Sequence, residues 1–129
     1  MKYVIDKLTD LEIIKVTVSG TLNQGKRKEI LSKAVSELDT KGYSRLLIDV
    51  TGSKVPSNYT TVNSLELVDY MKTLETKNHT KIAFLSTQTE AGHHSFVKFA
   101  QSVGGRYIKH FRNYDEAITW LLCGKDIFT

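Results

Sequence analysis

The chain carries a single cysteine, Cys123. One thiol cannot close an internal disulfide or form a CxxC redox or zinc motif, which fits a reducing compartment. Long apolar runs are also missing, since no stretch approaches the roughly 20 residues that cross a bilayer. The opening Met1-Lys2-Tyr3-Val4-Ile5-Asp6-Lys7 is broken by charge too early for a signal peptide. A cytoplasmic chain without membrane insertion is the expectation. No repeat, low-complexity tract or linker interrupts the pattern, and no Ser-His pair, paired carboxylates or H-x-x-x-H spacing marks a catalytic centre. The expectation is a protein that acts by binding rather than an enzyme, with no cofactor and no metal.

What is present is an ordinary globular balance: 129 residues, 40% hydrophobic and 25% charged. That length suits one domain, 1–129, able to bury its own core. Lysine and arginine number 18 against 14 acidic residues, for a net charge of +4. The two signs are interspersed, whereas nucleic-acid binding needs positive charge gathered on one face. Only Lys26, Arg27 and Lys28 cluster tightly. They fall in the first turn of a helix, against the macrodipole, and read as a solvated face, with a phosphate or acidic-partner patch as the alternative. Nucleic acid is not an expected partner.

Tyr3-Val4-Ile5 and Leu11–Val18 read as two strands joined at Thr9-Asp10. In the second, Ile14, Val16 and Val18 alternate with Ile13, Lys15 and Thr17, which predicts one buried and one partly exposed face. Ile30, Leu31, Ala34, Val35 and Leu38 then recur at helical spacing. Thr21 with Gln24, or Asn23 alone, can cap that helix, and Gly42 can end it. Arg45-Leu46-Leu47-Ile48-Asp49-Val50 is an apolar run of the kind covered on both faces, the expected central strand. Residues 51–58 read as a loop before a second helix carrying Val62, Leu65, Val68, Met71 and Leu74, with Glu66, Asp69 and Glu75 toward solvent. Lys81–Ser86 is the next strand. Thr87 and Glu90 form a capping box for a third helix with Phe96, Val97, Ala100 and Val103 inward. Arg106–Phe111 is the last strand, and Asn113 with Glu116 caps a fourth helix that ends at Gly124. The order β-β-α-β-α-β-α-β-α predicts an α/β fold with a mixed, mostly parallel sheet of about five strands and four helices.

This order, with Leu46-Leu47-Ile48-Asp49-Val50-Thr51-Gly52 and the closing run from Phe111 to Leu122 (Glu116-Ala117 and Trp120-Leu121 within it), resembles the STAS superfamily, in particular its SpoIIAA-like branch. The resemblance covers nearly the whole chain. It implies a regulatory domain working through protein–protein contacts. In the anti-sigma-factor antagonists of the superfamily, the loop after the central strand carries an Asp-Ser pair whose Ser is phosphorylated by a partner kinase. The matching region here is Lys54-Val55-Pro56-Ser57-Asn58-Tyr59. Ser57 falls near the acceptor position, and Pro56 stands where those proteins have the acidic residue.

Ligands of open α/β sheets approach the carboxyl ends of the strands, so Thr51, Gly52, Ser53, Lys54, Ser57, Asn58 and Tyr59 form the candidate partner-binding surface. Ser57 is a helix cap or a phosphoacceptor, where phosphate would add about −1.5 to −2 charges against free helix N–H groups. The alternative function is a carrier or sensor of a small apolar or amphiphilic ligand held by Val62, Leu65, Phe96 and Phe99 between the second and third helices. Glu90 and His94 lie one helical turn apart, but His93 and His94 cannot both face one ion, and His79 and His110 are distant in sequence. Asp49 is expected to make a loop-organising hydrogen bond. Cys123 is expected in the core or at an interface, and Phe111, Tyr114 and Trp120 as core or edge aromatics. Exposed strand edges and the apolar Ile127-Phe128 leave a homodimer open.

Overall fold

The computed structural model describes residues 2–21, 23–54, 66, 80–86 and 108–123. Five strands, β1 (Lys2–Leu8), β2 (Ile13–Thr21), β3 (Arg45–Lys54), β4 (Lys81–Leu85) and β5 (Ile108–Phe111), form one sheet in the order β1-β2-β3-β4-β5. β1 runs antiparallel to β2, and β2 through β5 are mutually parallel. The mixed, mostly parallel five-stranded sheet is as expected, and β3 is its central strand.

Two helices are described: α1 (Gln24–Lys41) and α2 (Tyr114–Leu122). Asn23 caps α1, its side chain accepting from the Lys26 N–H at 2.8 Å, so the Asn23 option holds while Thr21 is a strand residue. Gly42 ends the helix at φ 70°, a left-handed conformation that costs a residue with a Cβ about 1 kcal/mol. Asn113 caps α2 through the Glu116 N–H at 3.1 Å. The expected second and third helices lie outside the described residues except Glu66, which is helical and exposed.

The sheet is covered on both faces. Ile14, Val16, Val18, Leu46, Ile48, Val50, Ile82, Phe84 and Ile108 pack with Ile30, Leu31, Ala34 and Leu38 of α1. On the opposite face Ile13, Leu47, Ala83 and Leu85 pack with Ala117 and Leu121 of α2. The period-2 alternation of strand side chains assigns each residue to its side. Leu46, Leu47 and Ile48 are all at most 3% exposed, as a strand between two helical layers must be.

Several boundaries differ from the sequence expectation. The first turn spans Thr9–Glu12, closed by the Leu11 N–H donating to Leu8 O at 3.1 Å, with Glu12 at φ 55°. Leu11 therefore belongs to the turn, and its side chain packs on the α2-side cluster. β1 runs on to Leu8 and β2 to Thr21. β3 continues through Thr51, Gly52 and Ser53 to Lys54, where a loop was expected, because Ser19, Gly20 and Thr21 of β2 pair with Gly52, Ser53 and Lys54. α2 stops at Leu122, short of Gly124.

Candidate functional site

The carboxyl end of β3 is where the sheet departs from regularity. Thr17 pairs with Asp49 and Ser19 with Gly52, so Val50 and Thr51 together face the single residue Val18. This two-against-one count is a β-bulge, which locally bends a strand and re-aims its side chains. Asp49 organises it: one carboxylate oxygen accepts from the Thr51 N–H at 3.0 Å and from the Thr51 hydroxyl at 2.7 Å. The expected local hydrogen bond of Asp49 is present, within a bulge rather than a loop. Beyond it Thr51 and Gly52 are exposed. Ser53 turns inward, its hydroxyl donating to Val50 O at 2.8 Å.

Of the expected partner-binding residues, Thr51, Gly52 and Ser53 are thus placed at the end of the central strand, and Lys54 is its last residue. Ser57, Asn58 and Tyr59 lie outside the described residues. So do Val62, Leu65, Phe96 and Phe99 of the ligand-carrier alternative, together with His79, Glu90, His93 and His94. Among the described residues no group of three His, Cys, Asp or Glu could hold a metal ion. No described helix is long and apolar enough to cross a membrane.

Beneath α1, next to this strand end, lies a pocket of about 20 Å³ lined by Val18, Arg27, Ile30, Leu31, Ile48, Val50 and Phe84. It is water-sized, far below the roughly 300–1,000 Å³ of small-molecule sites. Arg27 is the surprise in its wall. The basic cluster was expected on a solvated face, but Arg27 is 3% exposed, while Lys26 is exposed beside Glu29 with 3.5 Å between the charged atoms. Successive helical residues point about 100° apart, so three consecutive cations cannot share one face. The inward i, i+3, i+4 series of Arg27, Ile30 and Leu31 is the signal that placed it there.

Two other cations turn inward at the opposite end of the sheet. Arg45 donates from Nε to Leu121 O at 2.9 Å and from Nη1 to Leu11 O at 3.1 Å. Lys81, its register partner on β4, donates from Nζ to Trp120 O at 3.0 Å and Cys123 O at 2.8 Å. Carbonyls at a helix C-terminus lack intrahelical donors and carry partial negative charge, so this pair anchors α2 to the sheet. Cys123, expected in the core or at an interface, is exposed rather than in the core: it follows the last inward residue, Leu121, and the helix ends before its buried stripe returns. Phe111 and Trp120 are partly buried, with ring centroids 5.5 Å apart. Tyr114 is exposed with the Lys15 ammonium 5.1 Å from its ring centre.

An open α/β sheet with one antiparallel margin strand, helices on both faces and a bulged central strand defines the class. No family model matches the chain, and no curated protein matches it. Solved structures do. An anti-sigma factor antagonist from Mycobacterium paratuberculosis superposes with a TM-score of 0.60 at 13% identity, covering 93% of this chain and 92% of that one. The anti-sigma factor antagonist SpoIIAA in its unphosphorylated form gives 0.55 at 13% identity over 91% of this chain and 93% of that one. The Bacillus cell fate determinant SpoIIAA in its phosphorylated form gives 0.50 at 14% identity over 92% and 97%. The chain has the STAS fold in its SpoIIAA-like form.

Proposed function

We propose that the chain is a non-enzymatic regulatory domain that binds a protein partner at the carboxyl end of β3 and the residues after it. The observation that carries this reading is the likeness, over 93% of the chain, to an anti-sigma factor antagonist. The local geometry supports it: Asp49 holds a bulge that leaves Thr51 and Gly52 exposed at the end of the central strand, where parallel sheets present their binding surfaces. The surface comprises Thr51, Gly52, Lys54, Ser57, Asn58 and Tyr59, with the expected Ser53 buried behind it instead, and Ser57 is its phosphoacceptor. SpoIIAA is known in unphosphorylated and phosphorylated forms, which supports a phosphoacceptor in this protein. Phosphate on Ser57 would put about −1.5 to −2 charges on the docking surface and thereby switch it.

The test is a photo-crosslinking amino acid at Thr51 in the protein's own host, with Lys41, at the far end of α1, as the control position. The expected result is one protein captured from position 51 and not from 41. Equal capture at both positions, or none at 51, refutes the docking site. Mass spectrometry of peptides spanning 55–59 tests the switch separately, and peptides free of phosphate under all growth conditions refute it.

A further inference from the structure

β1 stands at one margin of the sheet, paired with β2 on its inner side and with no described strand on its outer side. Natural edge strands are kept from pairing by short length, proline, bulges or charge at the exposed positions. Of these protections β1 carries only charge, at the exposed Lys2, Asp6 and Lys7. It is 7 residues long, with no proline, and pairs with β2 in unbroken register. Tyr3 and Ile5 turn toward the α1-side core, while Lys2, Val4 and Asp6 share the other, exposed face. Val4 is 56% exposed, the most exposed large apolar side chain among the described residues. Lys2 and Asp6 flank it symmetrically, and neither makes an ion pair among the described residues.

We propose that β1 pairs antiparallel with β1 of a second copy about a two-fold axis at Val4, joining the two sheets into one. In that register Val4 meets the partner's Val4, Lys2 meets the partner's Asp6, Asp6 meets the partner's Lys2, and Tyr3 meets the partner's Ile5. Each of these pairs is then opposite in charge or apolar on both sides, the combinations that stabilise sheet neighbours. Neighbouring registers lose this. An axis at Ile5 sets Val4 across from Asp6 and Tyr3 across from Lys7, and an axis between Val4 and Ile5 sets Lys2 across from Lys7. The charge pattern thus selects a second copy of this strand, in one register, as the occupant. The axis lies perpendicular to the sheet, so both copies keep α1 on the same side, and an isologous contact of this kind closes at two chains. The proposal goes beyond the regulatory reading above and does not depend on it.

A contact built on one strand per chain falls at the small end of interface size, so the dimer is weak, with a Kd in roughly the micromolar to millimolar range. Sedimentation velocity of the full chain from about 10 µM to about 1 mM spans that range. The expected result is a reversible monomer–dimer equilibrium. Asp6→Lys turns both charge pairs into like-charge pairs and weakens association about tenfold. The double exchange Lys2→Asp with Asp6→Lys restores the wild-type constant, since each pair is opposite again. Val4→Lys abolishes dimerisation by facing two ammonium groups across the axis, with circular dichroism confirming that each variant is folded. Overturning results are a monomer at every concentration, association indifferent to Asp6→Lys and Val4→Lys, a double exchange that fails to restore, or open-ended oligomers.

Discussion

Replacing Lys81 by methionine isolates what the inward cations contribute. Lys81 opens β4 and is 8% exposed. Its ammonium makes the bonds to Trp120 O and Cys123 O at 3.0 and 2.8 Å and lies 5.1 Å from the centre of the Trp120 ring. Methionine keeps most of the apolar stem and removes the charge, leaving two helix-end carbonyls without that donor. Each charge-assisted bond is worth about 1.5–3 kcal/mol. Against that, several kcal/mol of desolvation carried by the buried ammonium is relieved. The net expectation is a loss of about 2 kcal/mol, since the bonds, the helix dipole and the ring all favour the cation. With an unfolding entropy of about 2.1 cal/mol/K per residue over 129 residues, this corresponds to a Tm lowered by about 7 °C. Trp120 is the only tryptophan, so its emission reports on the same spot and should change with the substitution. A Tm within about 1 °C of wild type, with unchanged emission, would refute the anchoring role. Arg45→Met alone should act in the same direction, and the double variant should fall short of additivity because both side chains hold one helix end.

Three further outcomes follow from the same geometry. The Tyr3 hydroxyl donates to Glu29 Oε2 at 2.8 Å and, with Lys26 and Lys33, holds the Glu29 carboxyl below its ordinary 4.5 against an opposing effect of burial. A depressed carboxylate stabilises fully above its unfolded value and loses that contribution as pH falls through its folded value. Tyr3→Phe should therefore lower Tm at pH 7 by more than it does well below 4.5, and a Tm difference constant down the acid range would contradict this. Asn23→Ala should cost about 1 kcal/mol as a lost cap and Gly42→Ala about 1 kcal/mol for its left-handed conformation, both read by urea denaturation, and a neutral result at either site refutes its role. Arg27→Ala should destabilise by about 1–3 kcal/mol and Lys26→Ala by less than about 0.5 kcal/mol, measured in the same way, whereas equal effects would return Arg27 to the surface.

Features legible in the sequence are those whose causes lie within a few residues. Asn23 and Asn113 are caps because a short carboxamide reaches the backbone N–H three residues on. Gly42 ends α1 because it accepts φ 70°. The inward faces of α1 and β2 follow from periods of 3.6 and 2 residues, and the unbroken apolar run Leu46-Leu47-Ile48 announced a strand covered on both sides. The candidate site was legible only in part. The sequence marks the carboxyl end of the central strand and a local bond for Asp49, but not that Thr51–Lys54 are strand, since polar residues carry no periodic signal when pairing alone makes them strand.

By itself, then, the sequence determined the caps and inward faces of the two described helices and the order of the described elements, because propensity and periodicity act over one or two turns of chain. Only the tertiary structure decided that β3 extends alongside Ser19–Thr21. It also decided that Arg45 and Lys81 close the end of α2. Each of these depends on groups tens of residues apart in the chain, as with the 39 positions between Lys81 and Trp120. A partner that far away leaves no mark on the local pattern, and it becomes a neighbour only once the sheet and its helices have packed.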